Sequence, residues 1–119
     1  MQTPIRYGVT KRWSDAVVVG NLGFFVEVPD DPERSPAEQF RAVLAQVASR
    51  CIEIGTTHDQ LVQVLVYLPF PEDLALFNEL WDSWLPAGCA PTRACTHPQL
   101  ADSRYRVELV VTVFVPTKN

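Results

Sequence analysis

The segment LVQVLVYL, at residues 61–68, most constrains the fold of this chain, because it has the pattern of a strand that is apolar on both faces. One alternating set is Val62, Val64, Val66 and Leu68, and the other is Leu61, Leu65 and Tyr67, with Gln63 as the single polar residue. Successive side chains of a strand point to opposite faces of its sheet. Strands with both sets apolar are typical of sheets that are covered on both sides, so we expect a layer against each face.

A first helix is predicted between Ser35 and Gly55. Ser35 and Glu38 have the spacing of a capping box, and Pro36 suits the first helical position. Six small or apolar residues then share one helical face: Phe40, Val43, Leu44, Val47, Ala48 and Cys51. Since a free cysteine packs as a small hydrophobic residue, Cys51 is assigned to the core.

A second helix is predicted between Glu72 and Pro86. Its acidic start suits the positive end of a helix dipole. An apolar stripe follows, and its Trp81 and Trp84 are interpreted as core or interface residues rather than as a ligand site.

Further strands are predicted on both sides of a turn at Gly20 and Asn21, and over residues 92–97 and 104–116. The order ββαβαββ indicates a single α+β domain over residues 1–119, with two helices on one face of a mixed sheet. The last strand would present Val110 and Phe114 on the second face. No segment remains to cover that face, so we expect another subunit there, and therefore a homo-oligomer.

The charge and composition disfavour several classes of function. The formal net charge is −4 and the basic residues are dispersed, whereas nucleic-acid binding needs a basic face. No apolar run approaches the roughly 20 residues of a membrane helix, and the N-terminal segment does not have the pattern of a signal peptide. We therefore expect a cytoplasmic protein with no nucleic-acid partner and no membrane partner.

The cysteines and histidines give no pattern of a metal site. Cys51, Cys89 and Cys95 are odd in number and have no CxxC spacing, and His58 and His97 stand apart. We expect neither a disulfide framework nor a bound metal.

Arg93 is the first candidate for a functional residue. It lies in the segment APTRACT, and no acidic residue occurs within seven positions on either side. Glu108 lies on the mixed face of the last strand, which is taken here as a neighbour of the strand at 92–97. Arginine suits bidentate binding of a carboxylate, and a glutamate can deprotonate water. The alternative is a structural salt bridge of Arg93 with Glu108, or with an acid across an interface.

The same residues occur where the chain resembles a known family. WSDAVVVGNL, Gln39, the run EIGTTHDQLVQVLVYLPFPEDLALFN, APTRAC and RVELVVTV follow one another in the order and spacing of the Rid (YjgF) family of enamine/imine deaminases. The resemblance covers nearly all of the chain. It implies a trimer similar to chorismate mutase, with helices outside, sheets packed into a central barrel, and ligand sites between subunits.

The resemblance also implies a reaction, the hydrolysis of imine or enamine acids to ketoacids and ammonia without a metal or organic cofactor. By their positions in the family pattern, Arg93 would hold the substrate carboxylate and Glu108 would position the attacking water. Three further residues would line the site: Trp13, Asn78 and Cys95. Cys95 is interpreted as part of the pocket wall; the alternative role of nucleophile is disfavoured because no histidine is expected beside it.

One segment departs from the family pattern. Many members have Ser-Gly-Gln in the second strand, where this chain has Val26 and Glu27 within FFVEVP. Valine offers no side-chain hydrogen bond to a substrate, and Glu27, if it faced the pocket, would repel an anion. This change favours an alternative function, a non-catalytic trimer that binds small carboxylic acids or ketoacids. A ribonuclease or translation inhibitor, as the family has also been labelled, is disfavoured by the acidic charge balance.

Overall fold

Six strands and two α-helices form residues 3–117, the part of the chain that this computed structural model describes. In chain order they are β1 (Ile5–Tyr7), β2 (Ala16–Val19), β3 (Leu22–Glu27), α1 (Pro36–Glu53), β4 (Leu61–Tyr67), α2 (Leu74–Trp84), β5 (Thr92–Thr96) and β6 (Glu108–Phe114). Single 3₁₀ turns precede β4 and α2. The predicted α+β class, with two helices on a mixed sheet, is confirmed.

All six strands belong to one sheet, in the order β1-β2-β3-β6-β4-β5. Only the β4–β5 pair is parallel, and β6 runs antiparallel between β3 and β4. The last strand in sequence is therefore central, and β5 lies at an edge.

The structure adds one strand and shortens another. The edge strand β1 has three residues, too few for the periodic pattern on which the prediction relied. The prediction of a strand from residue 104 is wrong for residues 104–107, because their backbone bonds to the side chain of Gln39 in α1 instead of to a neighbouring strand.

The capping box of α1 forms as predicted. The Glu38 amide donates to the Ser35 hydroxyl oxygen, and the Ser35 amide donates to the Glu38 carboxylate. Gly55 follows the helix with a φ of 94°, a conformation that glycine adopts without strain. Cys51 lies fully buried in the core, and this burial raises the pKa of its thiol to about 12.

The alternation predicted for β4 is wrong at its start. A β-bulge shifts the register between Leu61 and Gln63, so that Leu61 joins the buried set that includes Val64. Val62, on the bulge, is 42% exposed. An extra residue in one strand reverses the faces of the residues before it, and a strictly alternating sequence pattern does not reveal such a residue.

The helices cover one face of the sheet and leave the other open. The structure measures 46 × 37 × 20 Å, and a thickness of 20 Å corresponds to two layers spaced about 10 Å apart. On or beside the open face several large apolar side chains are between 39% and 62% exposed: Trp13, Leu22, Phe24, Val26 and Phe114. Exposed apolar patches of this kind are typical of interaction surfaces, and a further subunit on this face stays a prediction.

No helix within residues 3–117 combines the length and hydropathy that a membrane crossing requires.

Gly23 of β3 allows the C-terminal end of α1 to approach the sheet. A Cβ atom at this position would lie 2.7 Å from Ile54 Cδ1 and 3.1 Å from methyl groups of Val113 and Val115. We expect Gly23→Ala to lower the free energy of unfolding by about 1–3 kcal/mol, since overpacked cores must shift side chains or backbone.

Urea denaturation at fixed protein concentration measures this effect. Ile54→Val removes the methyl group that the new Cβ would meet, so Gly23→Ala should cost clearly less in that background. Strict additivity of the two substitutions would contradict the proposed clash.

Candidate functional site

Arg93 lies on the edge strand β5, and its side chain is on the helix-covered side of the sheet. The register pairs Arg93 with Val64, a buried residue of the core, and paired residues of neighbouring strands point to the same face. Helix α2 reaches this edge. Arg93 Nη2 donates to Asn78 Oδ1 at 2.7 Å, and the Arg93 guanidinium lies 5.2 Å from the Trp81 ring centroid.

The guanidinium of Arg93 is oriented by these contacts and keeps most of its donors free. Arg93 forms no ion pair with any residue between 3 and 117, whereas Arg50, Arg104 and Arg106 each pair with carboxylates. A guanidinium has five N–H donors, and Asn78 accepts from one nitrogen. The side chain is exposed, so a planar fork is available to a carboxylate from solution.

Cys95 lies two residues beyond Arg93 and points to the same side of the sheet, since it pairs with the buried Val66. It packs against the edge of the core. Burial raises the pKa of the Cys95 thiol, and the nearby Arg93 charge only partly opposes this. The thiol is therefore mostly protonated at neutral pH, which agrees with a wall residue better than with a nucleophile.

Together Arg93, Asn78, Trp81 and Cys95 form what we call the Arg93 cluster. Trp81 is the member that the sequence analysis missed as a site residue, because its helical spacing assigned it to the core. The residue is 6% exposed, and the Arg93 guanidinium lies over its ring. Its position three residues after Asn78 on the same helix, and hence on the same face, was the available indication.

Glu108 lies on the opposite face of the sheet. It pairs with Tyr67, three residues from the buried Val64 along β4, and its side chain belongs to the open face. The prediction that Arg93 and Glu108 lie side by side on neighbouring strands is wrong, because β4 separates β5 from β6. An internal salt bridge between the two residues does not occur within residues 3–117 of one chain.

A cleft of about 650 Å³ begins beside Glu108. Trp13, Val26 and Tyr105 line it, together with residues of β3 and β6; these four residues are called the Glu108 cleft below. Trp13 is held by a turn in which its amide donates to the Thr10 hydroxyl at 3.1 Å and its carbonyl accepts from the Thr10 amide at 2.7 Å.

Partial burial raises the pKa of the Glu108 carboxyl above its ordinary value. Removal from water disfavours the charged form of a carboxyl group, and the neighbouring Val26 and Val110 offer no hydrogen bond. A carboxylate with a raised pKa is a stronger base than one in water.

Glu27 does not face this cleft. Its side chain points beneath α1, where it accepts from Arg50 Nε at 3.0 Å and from Gln46 Nε2 at 3.2 Å, and the residue is 5% exposed. Repulsion of an anionic ligand by Glu27 is therefore not a feature of the cleft. Val26, its neighbour in sequence, is 51% exposed and supplies the apolar wall.

Within residues 3–117 no three His, Cys, Asp or Glu side chains come together in a way that could hold a metal ion.

Comparison with known proteins gives a consistent result over the whole domain. The family model for endoribonuclease L-PSP matches residues 5–115. The RutC family protein YoaB of Escherichia coli K12 is 29% identical over 113 residues, which cover 95% of this chain and 99% of that protein. A RutC family protein of Haemophilus ducreyi is 28% identical over 111 residues, which cover 92% and 95% of the two chains.

Solved structures agree with these relatives. An uncharacterized protein from Pseudomonas aeruginosa superposes with a TM-score of 0.92 and 34% identity, covering 96% of this chain and 100% of that one. A member of the YjgF protein family from Neisseria meningitidis has a TM-score of 0.92 and 33% identity, and 98% of each chain is covered.

The fold and these superpositions define a small α+β protein of the YjgF type. The chain belongs to the endoribonuclease L-PSP family, the Rid (YjgF) family that its sequence resembles.

Proposed function

We propose that this protein hydrolyses small imine or enamine acids to ketoacids and ammonia, in sites that form between copies of the chain. The observation that carries the proposal is the oriented guanidinium of Arg93, which no carboxylate within residues 3–117 occupies. Membership of a family with a general role in deaminating reactive intermediates supports it.

The separation of the two groups within one chain supports a site made by two copies. The Arg93 cluster lies at the β5 edge on the helix side, and the Glu108 cleft lies on the open apolar face. A neighbour packed against the open face by its β5 edge would bring its Arg93 to this chain's Glu108. Three copies arranged head to tail use the same two surfaces repeatedly and close into a ring.

In such a site the chemistry requires only orientation and one base. Arg93 binds the substrate carboxylate, which fixes the imine carbon close to Glu108. Glu108 takes a proton from water as the water oxygen bonds to the imine carbon, and the imine nitrogen is protonated. The resulting carbinolamine breaks its C–N bond, ammonia leaves, and the hydroxyl proton is lost as the ketoacid carbonyl forms. An enamine enters this sequence after protonation at its β-carbon.

The first experiment generates imino acids with an amino-acid oxidase and follows the release of ketoacid. We expect the wild-type protein to accelerate the release and Arg93→Ala to lose about ten- to a hundredfold in kcat/KM, which corresponds to a hydrogen-bonded charge pair. Arg93→Lys, the matched control, keeps the charge without the planar fork and should lie between them. Equal rates for wild type and Arg93→Ala would contradict the proposal.

A second candidate function is favoured by one residue. Val26 is 51% exposed at the cleft. Its side chain offers no hydrogen bond at a position where the family pattern often has serine. A site weakened in this way would still bind acids through Arg93. Calorimetric titration with pyruvate would then show binding to the wild type and none to Arg93→Ala, while ketoacid release stays at the uncatalysed rate.

Hydrolysis of RNA, which the family name suggests, is disfavoured by the net charge of −4.

A further inference from the structure

The segment that leads into Glu108 is irregular but firmly held. Residues 98–107 form no strand, and β6 starts at Glu108 itself. Two groups of polar side chains, one buried and one partly buried, fix the last residues of this segment, and the proposed chemistry uses neither of them.

The first group is the side chain of Gln39, which is 1% exposed. Its Oε1 accepts from the Arg106 amide at 2.8 Å, and its Nε2 lies 3.1 Å from the carbonyl oxygens of Pro32, Arg34 and Arg104. All the polar atoms of the amide are thereby satisfied inside the protein, which is the condition for a buried polar group to rigidify its surroundings. Gln39 joins the first turn of α1 to the backbone two residues before Glu108.

The second group is the ion pair of Arg106 with Asp73 at the start of α2. Arg106 Nε and Nη2 donate to the two carboxylate oxygens at 2.8 Å and 3.0 Å, and the guanidinium lies 4.0 Å from the Phe70 ring centroid. Bidentate pairs of this kind fix geometry as well as charge. The side chain of Asp73 is 9% exposed and that of Arg106 is 27% exposed.

We propose that Gln39 and the Asp73–Arg106 pair are positioning residues for Glu108: they hold the backbone that sets where its carboxylate meets the water. This inference rests on the proposed deamination. Arg106 lies two residues before Glu108, whereas Asp73 lies five residues before Asn78 of the Arg93 cluster. The loss of these contacts should therefore act mainly on turnover rather than on binding of the substrate carboxylate.

The test compares Arg106→Lys with Arg50→Lys in the ketoacid-release assay. The Arg50–Glu27 pair is the control, because its side chains are 24% and 6% exposed, it lies beneath α1, and neither residue belongs to residues 98–107. Both substitutions keep the charge and remove the planar fork. We expect Arg106→Lys to lower kcat about three- to tenfold with KM within about twofold, and Arg50→Lys to leave both within about twofold.

A second variant tests the same inference through the other group. Gln39→Met keeps the length of the side chain and removes its hydrogen bonds, and it should also lower kcat while KM is kept. Circular dichroism and thermal melts identify the variants that are folded at the assay temperature, and Arg106→Lys keeps a positive charge beside Asp73.

The outcomes separate two failures. The positioning role alone is overturned if the wild type is active but Arg106→Lys and Arg50→Lys change kcat equally. It is also overturned if Arg106→Lys raises KM and keeps kcat. A wild type without ketoacid release, under conditions where pyruvate binds, overturns the deaminase function and this inference with it.

Discussion

Mixing Arg93→Ala chains with Glu108→Gln chains is expected to restore about a quarter of the wild-type deaminase activity, although each variant alone is nearly inactive. In one chain the two residues lie on opposite faces of the sheet, with β4 between their strands. If each site takes Arg93 from one copy and Glu108 from the next, an equal random mixture gives both intact residues at about one interface in four.

The measurement is ketoacid release after the two variants are unfolded together and refolded as a mixture. Each variant refolded alone gives the baseline, and a chain that carries both substitutions, mixed with wild type, is the matched control. In that control mixture both residues are intact only at interfaces between two wild-type chains. Its activity should therefore fall from the full wild-type value to about a quarter of it. A mixture of the two single variants that stays at the baseline would show that the two residues do not act in one site.

The parts of the fold that local chemistry determines could be predicted from the sequence. The capping box at Ser35 and Glu38 and the apolar stripe that ends at Cys51 define α1, and both are local patterns that the structure reproduces. The strand β1 could not be predicted, because three residues carry no period. The bulge at Val62 could not be predicted either, because pairing with β6 decides it and not the composition of β4.

The residues of the candidate site could be proposed from the sequence, whereas their arrangement in space could not. Arg93 was notable as an arginine without a local acid, and the structure still gives it no carboxylate partner within residues 3–117. Its distance from Glu108 depends on strand order, and the insertion of β6 between β3 and β4 is a long-range event. The direction of the Glu27 side chain follows from the alternation of side chains along β3. Val26 faces the cleft, so Glu27 faces α1 and pairs with Arg50.

Glu108→Gln is expected to lower kcat about a hundred- to ten-thousandfold while leaving the protein at least as stable as the wild type at pH 7. The loss of rate is that of removing a general base. The stability follows from the raised pKa of the Glu108 carboxyl, which burial causes. A folded-state pKa above the unfolded value means that the protonated form is favoured by folding, so this contribution is complete below the ordinary glutamate pKa and is lost as the pH rises through the raised value.

The free energy of unfolding of the wild type should therefore fall, relative to that of Glu108→Gln, between the ordinary pKa of glutamate and the raised pKa of Glu108, and stay lower above it. Over the same window the wild-type kcat/KM should rise with pH, because only the carboxylate can take a proton from water. Urea unfolding at a fixed chain concentration measures the first effect, since subunit association adds to apparent stability. Glu79→Gln, which removes an exposed glutamate of α2 outside the cleft, is the control and should show neither effect. A Glu108→Gln protein less stable than wild type at pH 7 would mean that the fold favours the Glu108 carboxylate. That result would contradict a pKa raised by burial.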